Sequence, residues 1–244
     1  MPFAVDLLGN AAYGYPRGAE RRIAPTKLAV LHITANPNTP PATAKQERDY
    51  ANRAGSEGPS AHTYVDRPGG GVHAVETRYA AWSNGVLRSP KTAVSGVSDI
   101  VAMPAAGLNP NEAYVREIEL CGRYSEYPVT LAQRDEAARL IASDSIAWRI
   151  PIARDTVHLH SDLDTVQRPN CPVPAAQAEA FAADIIGRAR QYAQMDIDAL
   201  LEELRRQVEL LRQGKADAEA SRDLALAERD VLAGKIAAAV EALS

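Results

Sequence analysis

The sequence predicts a mixed α/β domain, a β-sheet flanked by helices, followed by a separate helical, coiled-coil-like tail. Three observations carry that expectation. Short apolar or alternating runs interleave with helix-patterned segments over residues 27–192, the order expected when helices pack on a sheet. From Ile197 onward, apolar residues recur at alternating steps of four and three, the seam of a coiled coil. The composition also changes there: residues 195–244 hold 11 acidic and 7 basic side chains, while the rest balances at 20 and 20, so the net charge of -4 sits in the last fifth of the chain. That stretch has no aromatic residue after Tyr192 and no proline after Pro174. The reading is therefore an N-terminal arm (1–26), a globular domain (27–192) and a tail (193–244).

Residues 1–26, rich in Gly, Pro and Arg, read as an irregular arm. Lys27 to Ile33 (KLAVLHI) is a nearly continuous apolar run, which fits a buried strand. Thr39-Pro40-Pro41 supplies a cap and a proline for the first helical turn, predicting a helix from Pro40 to Ala54 that stops at Gly55. Ala61 to Asp66 and Val72 to Glu76 are β-rich and separated by Pro68-Gly69-Gly70-Gly71, a hairpin. The glycines carry neither a P-loop Lys-Ser/Thr nor a dinucleotide fingerprint, so they read as a turn. Asn84 to Asn111 is turn-rich and reads as surface loops. Tyr114 to Leu120 (YVREIEL) alternates like a half-buried strand. A helix is expected from Thr130 to Arg149, with Leu131, Ala138, Ile141 and Ile146 on its core side. Thr156 to His160 reads as a strand with His158 and His160 on one face, and Ala175 to Tyr192 as the last helix of the domain.

Composition excludes several classes. No run of about 18 apolar residues exists, so no helix is expected to span a membrane. The N-terminus lacks the basic start and apolar core of a signal peptide, so synthesis in the cytoplasm without secretory export is expected. Cys121 and Cys171 are too few for a disulfide framework. Balanced charge over residues 1–194 argues against nucleic acid as a partner.

The chemistry concentrates in His32, His62, Glu119, His160 and Cys171. His32 stands near the end of an apolar strand, where an imidazole is costly unless partnered. His160 and Cys171 lie 11 residues apart across a polar loop, enough chain for both to reach one ion. Two imidazoles and a thiolate would leave the fourth position of a tetrahedral zinc open, the pattern of catalytic rather than structural sites. His158 is the alternative to His160. Cys121, following a strand, reads as a small buried hydrophobe, and His73 is given no role.

In order and at suitable separations, VLHIT (30–34), SAHTYVDR (60–67), AAWSNG (80–85), REIELCG (116–122) and HSDL…RPNCP (160–172) resemble the zinc-dependent N-acetylmuramoyl-L-alanine amidases, the amidase-2 group related to peptidoglycan recognition proteins. The resemblance spans residues 27–190 and implies that fold for the domain. It implies zinc held by His32, His160 and Cys171, with Glu119 as general base toward the metal-activated water. It places His62 and Trp82 along the substrate, His62 positioning it or bonding to the developing oxyanion. Where many relatives carry a lysine two positions before the last ligand, this chain has Pro169. Arg168, one step earlier, is the candidate substitute, being always charged. Ala61 and Val173 also depart from the common pattern. The implied partner is peptidoglycan, and the implied role that of a phage endolysin reaching the wall through holin lesions. A cytoplasmic muropeptide-recycling amidase and a non-catalytic wall-binding module of the same fold are the alternatives.

In the tail, Ile197, Leu201, Leu204, Val208 and Leu211 form one apolar stripe. Its register then meets Lys215, Arg222 and Arg229, and a shifted stripe begins with Leu224, Val231 and Leu232. Two helical segments joined near Gly214 are expected, associating with other copies, folding back as a hairpin, or docking as one solvated helix on the domain. The absence of aromatic rings and the net negative charge argue against a sugar-binding or wall-polymer-binding role. A homo-oligomer through residues 195–244 is the expectation, which would add avidity on a repeating polymer.

Overall fold

The computed structural model describes residues 4–5, 23–34, 41–54, 60–81, 83 and 87–242. The chain divides into two compact units, Met1–Gln194 and Met195–Ser244. The first is built on a six-stranded sheet of β1 (Ala4–Val5), β2 (Lys27–Ile33), β3 (Thr63–Val65), β4 (Gly71–His73), β5 (Tyr114–Leu120) and β6 (Val157–Leu159), in the order β1-β4-β3-β5-β2-β6. Only the β3/β4 hairpin is antiparallel. Its turn uses left-handed Gly69 and Gly70, with φ of 87° and 71°, a conformation open to glycine because it lacks a Cβ. The helices are α1 (Ala44–Ala54), α2 (Val97–Ala102), α3 (Leu131–Trp148), α4 (His160–Leu163) and α5 (Ala178–Ala242).

β2 and β5 are interior strands, and β2 is flanked by β5 and β6, which is why all seven of its residues are buried. Their alternation sorts side chains between two faces. Leu31, Ile33, Ile118 and Leu120 join Ala137, Ala138 and Ile141 of α3 and Phe181, Ala182 and Ile185 of α5 in the larger core. Val30 joins Val97, Ile100 and Leu163 in another cluster. His32, Glu117 and Glu119 alternate with the residues of the larger core, and the pairing sets His32 directly beside Glu119.

α3 starts where its sequence says. Thr130 Oγ1 accepts from the Gln133 backbone N–H at 3.1 Å and Gln133 Oε1 accepts from the Thr130 N–H at 3.1 Å, a complete capping box. The buried Gln133 amide also donates to the carbonyls of Val65 and Cys121, tying the ends of β3 and β5 together. Arg116 of β5 makes a bidentate ion pair with Asp144 of α3.

Several expectations are corrected. Ala138 and Ile141 face the core, but Leu131 and Ile146 are exposed. Ala137 and Leu140 fill the interior instead, together with the satisfied polar Gln133 and Asp144. The turn-rich segment read as surface loops contains α2, the 3-10 turn Pro104–Ala106 and the start of a second, Pro110–Ala113, and contributes Val97, Ile100 and Met103 to the core. Part of the arm is sheet, because Ala4–Val5 pairs with β4; the rest of residues 1–22 lies outside the described residues. Gly214 does not interrupt α5, which runs from Ala178 to Ala242. A mid-helix glycine costs only about 1 kcal/mol relative to alanine. Its neighbours are strong helix formers, reinforced by ion pairs such as Arg206–Glu203 at 2.8 Å and Arg212–Glu209 at 3.8 Å.

Candidate metal centre

One ring nitrogen each of His32 and His160 and Cys171 Sγ converge within 4.8 Å of one another, and all three residues are buried. The two Nδ1 atoms lie 2.8 Å apart and the rings meet edge to face with centroids at 4.4 Å. Each donor is placed by a different device. His32 is fixed by the sheet, as the penultimate residue of the central strand β2. His160 leads the short helix α4, and the turn into that helix is held by the fully buried Asp162. One oxygen of Asp162 accepts from the Leu159 N–H and from Arg154 Nη2, both at 2.8 Å. Cys171 returns through the loop 164–171. Asp164 Oδ1 accepts from the backbone N–H of Val166 and Gln167, Cys171 N–H donates to the Arg168 carbonyl, and Ser161 N–H donates to the Cys171 carbonyl.

The donor chemistry fits a soft divalent cation. Imidazole nitrogen and thiolate sulfur are the usual ligands of zinc. Burial pushes the Cys171 thiol up to about 12, with the Glu119 carboxylate adding to the rise and the N–H of Ile33, 3.3 Å from Sγ, opposing it. Such a thiol ionises near neutral pH only when a cation compensates its charge.

Glu119 flanks the cluster. Its Oε2 is buried with no hydrogen-bond partner among the described residues. Burial, reinforced by Glu47, raises its carboxyl from 4.5 to about 8, while Arg168 opposes the rise. It lines a cavity of about 80 Å³ with Thr34, Glu47, Tyr50, Ser60 and Tyr64. A second, open groove of about 220 Å³ is lined by buried Cys171 and Ile33 and by exposed Arg168, Tyr124 and Val166.

The family model described as N-acetylmuramoyl-L-alanine amidase matches residues 22–174, well over half of the chain and spanning the three donors and Glu119. The chain belongs to the N-acetylmuramoyl-L-alanine amidase family. No curated protein sequence matches it. Among solved structures, the catalytic domain of PlyG superimposes with a TM-score of 0.53 at 18% identity, covering 79% of this chain and 96% of that one. A mutant of PlyL gives 0.52 at 18% identity, covering 78% and 99%. A mutant endolysin from Bacillus subtilis gives 0.50 at 18% identity, covering 76% and 99%. At such identities the likeness is one of fold.

For this amidase-family chain the structure brings together His32, His160, Cys171 and Glu119, with Arg168 on the adjoining groove. Two other histidines have different positions from those expected. His158 does not share a face with His160, because the chain leaves the strand at Leu159. The His158 ring is instead held by the Tyr114 hydroxyl at 2.7 Å and the Ser95 carbonyl at 3.0 Å, away from the cluster. His62 is fully buried. Its Nδ1 accepts from the Glu117 N–H at 2.9 Å and its Nε2 lies 2.9 Å from the Tyr79 carbonyl. A ring clamped to backbone on both nitrogens braces the sheet, and this placement does not support the substrate contact expected of it. Trp82 lies outside the described residues. Cys121 is buried among Ala44, Tyr64 and Val75.

Sequence reasoning missed Glu117, Ser83 and Asp162. Glu117 had a signal: in YVREIEL it falls two residues before Glu119 and so on the same face. Ser83 had one too, since it follows Trp82 in AAWSNG (80–85), although its approach to His32 depends on where that loop folds.

Proposed function

We propose that this protein is a zinc-dependent amidase that hydrolyses the bond between N-acetylmuramic acid and the L-alanine of the peptidoglycan stem peptide. The carrying observation is the convergence of His32, His160 and Cys171 beside the buried carboxylate of Glu119. Zinc held by those three donors supplies Lewis acidity toward water and the scissile carbonyl. Glu119 accepts the proton of the attacking water as its oxygen bonds to the carbonyl carbon. It returns that proton to the alanine nitrogen as the carbon–nitrogen bond breaks. A carboxyl raised to about 8 by burial is matched to both halves of this transfer near neutral pH. The Arg168 guanidinium, on the groove that Cys171 also lines, stabilises the charge that develops on the carbonyl oxygen. The groove carries the glycan–peptide strand.

The biological role we infer is that of a phage endolysin, as the similar fold of the mutant endolysin from Bacillus subtilis suggests, acting on the wall after holin-mediated release. No helix among the described residues is long and apolar enough to cross a membrane. A recycling amidase would use the same site. A wall-binding module without catalysis is disfavoured because all three donors and Glu119 are retained. The tail, whose Leu201, Leu204 and Val208 stay exposed, is proposed to join copies of the chain and so to increase avidity for a repeating polymer.

Incubating the purified chain with cell walls, with and without a chelator, tests the chemistry. New N-terminal alanine without new reducing sugar ends, abolished by the chelator and restored by zinc, is the expected result. No chelator-sensitive release of alanine amines would overturn the reading.

A further inference from the structure

The mechanism above uses Glu119 but leaves unexplained a second buried carboxylate on the same face of β5. Glu117 is fully buried at the centre of the sheet, where an ionised group is costly unless hydrogen-bonded. Its Oε2 accepts from the Ser83 backbone N–H at 3.1 Å and makes a short hydrogen bond with the Ser83 hydroxyl. That hydroxyl lies 3.0 Å from His32 Nε2, the ring nitrogen other than the Nδ1 that lies 2.8 Å from His160 Nδ1, in a residue clustered with His160 and Cys171.

The direction of this chain of hydrogen bonds is set by its members. A carboxylate only accepts, so the single Ser83 O–H is spent on Glu117. The remaining lone pairs of Ser83 Oγ can then only accept, which requires the proton of a neutral His32 ring to be on Nε2. Nδ1, 2.8 Å from His160 Nδ1, is left with its lone pair.

We propose that Glu117 and Ser83 are positioning residues that select the metal-binding tautomer of His32 and hold its ring in register. The inference rests on the metal reading above. It concerns an outer shell of the site, of the kind whose removal costs metal proteins roughly 10- to 100-fold in affinity. His62 supports the same device. Its Nδ1 accepts from the Glu117 N–H, its own N–H donates to the Glu117 carbonyl, and its Nε2 meets the Tyr79 carbonyl. It thereby links the strand that carries Glu117 to the segment leading to Ser83. A buried histidine, a serine in a loop and a glutamate of the central sheet are thus one bracket around His32.

The test is zinc affinity, read by competition with a chromogenic chelator on the full chain, together with the thermal stability of the metal-free protein. The wild-type chain binds one equivalent. Ser83→Ala is expected to weaken binding by about tenfold or more, with the metal-free melting temperature nearly unchanged because Ser83 is only half-buried. Ser83→Thr, which keeps the hydroxyl, restores the affinity. Glu117→Gln is expected to weaken it as well, since an amide can donate to Ser83, reverse the chain and move the His32 proton to Nδ1. Ser83→Ala binding zinc within twofold of wild type overturns the proposal, as does affinity loss that Ser83→Thr fails to rescue. If Glu117→Gln does not fold, the Ser83 pair decides alone. Failure of the wild-type chain to bind zinc at all would instead overturn the metal reading.

Discussion

The two ends of α5 carry the same kind of sequence and have opposite fates. Near its start, Ala178, Phe181, Ala182, Ile185, Ile186 and Ala189 repeat at helical spacing and are all buried in the sheet's larger core. Further on, Ile197, Leu201, Leu204, Val208 and Leu211 repeat at equivalent spacing and are all exposed, Leu204 and Val208 by 47%. Periodicity says that one face of a helix is apolar. Only a partner surface turns that face into a core. The first stretch has a sheet to cover; the second belongs to a different unit and is covered by nothing within it among the described residues.

The strongest way to break this comparison is to show that chemistry depends on both regions. Glu119→Gln is expected to lower turnover of a soluble muropeptide by about 10²- to 10⁴-fold, the usual contribution of a positioned acid–base group. Removal of residues 195–244 should leave that turnover within about twofold. An equal loss in both proteins would mean that the tail completes the site. The same Glu119 variant should be more stable than wild type when metal-free at high pH. A carboxyl raised from 4.5 to about 8 favours folding fully below 4.5, and that contribution is lost as pH rises through 8. Thermal melts of both proteins between pH 4 and pH 9 check this.

Paired truncations sharpen the contrast along the helix. Ile185→Ala removes a side chain buried in the core and should cost about 2–5 kcal/mol in denaturant unfolding. Leu204→Ala should cost under about 0.5 kcal/mol in the isolated monomer. If Leu204→Ala instead lowers stability in proportion to protein concentration, the exposed stripe is an interface. Sedimentation measures this directly: the full chain is expected to associate and residues 1–194 to be monomeric. Monomers in both cases remove the self-association proposal. A further expectation is acid lability of the first unit. Burial holds His158 and His73 neutral, each lowered from 6.5 to about 4. Their contribution is complete above 6.5 and lost as pH falls through 4, so unfolding of residues 1–194 should become easier across that window. A flat profile there would contradict the neutral, hydrogen-bonded placement of His158.

Much of the fold was legible because local pattern and burial agree. KLAVLHI and YVREIEL are strands from end to end, since a central strand buried on both faces needs a long apolar or alternating run and nothing else. The helix expected from Thr130 is α3, whose start the structure fixes with a Thr130–Gln133 capping box. Reading failed where polar side chains do structural work. Leu131 was assigned inward and Gln133 was not weighed as core, yet Gln133 is buried because two strand-end carbonyls satisfy its amide. In the turn-rich segment 84–111, α2 is six residues long, too short for its period to stand out.

The sequence by itself determined the donor types and their order: an imidazole at the end of a central strand, a carboxylate on the parallel neighbour, and a His and a Cys joined by a loop. These follow from residue chemistry and from the two-residue period of strands. The tertiary structure alone decided which histidines do what. Of the four buried ones, His32 and His160 meet through Nδ1 and cluster with Cys171, while His62 and His158 give both ring nitrogens to scaffold partners. That division depends on register across strands and on where the loops carrying Ser83 and Ser95 come to rest. Those contacts join residues tens of positions apart, and no local pattern encodes them.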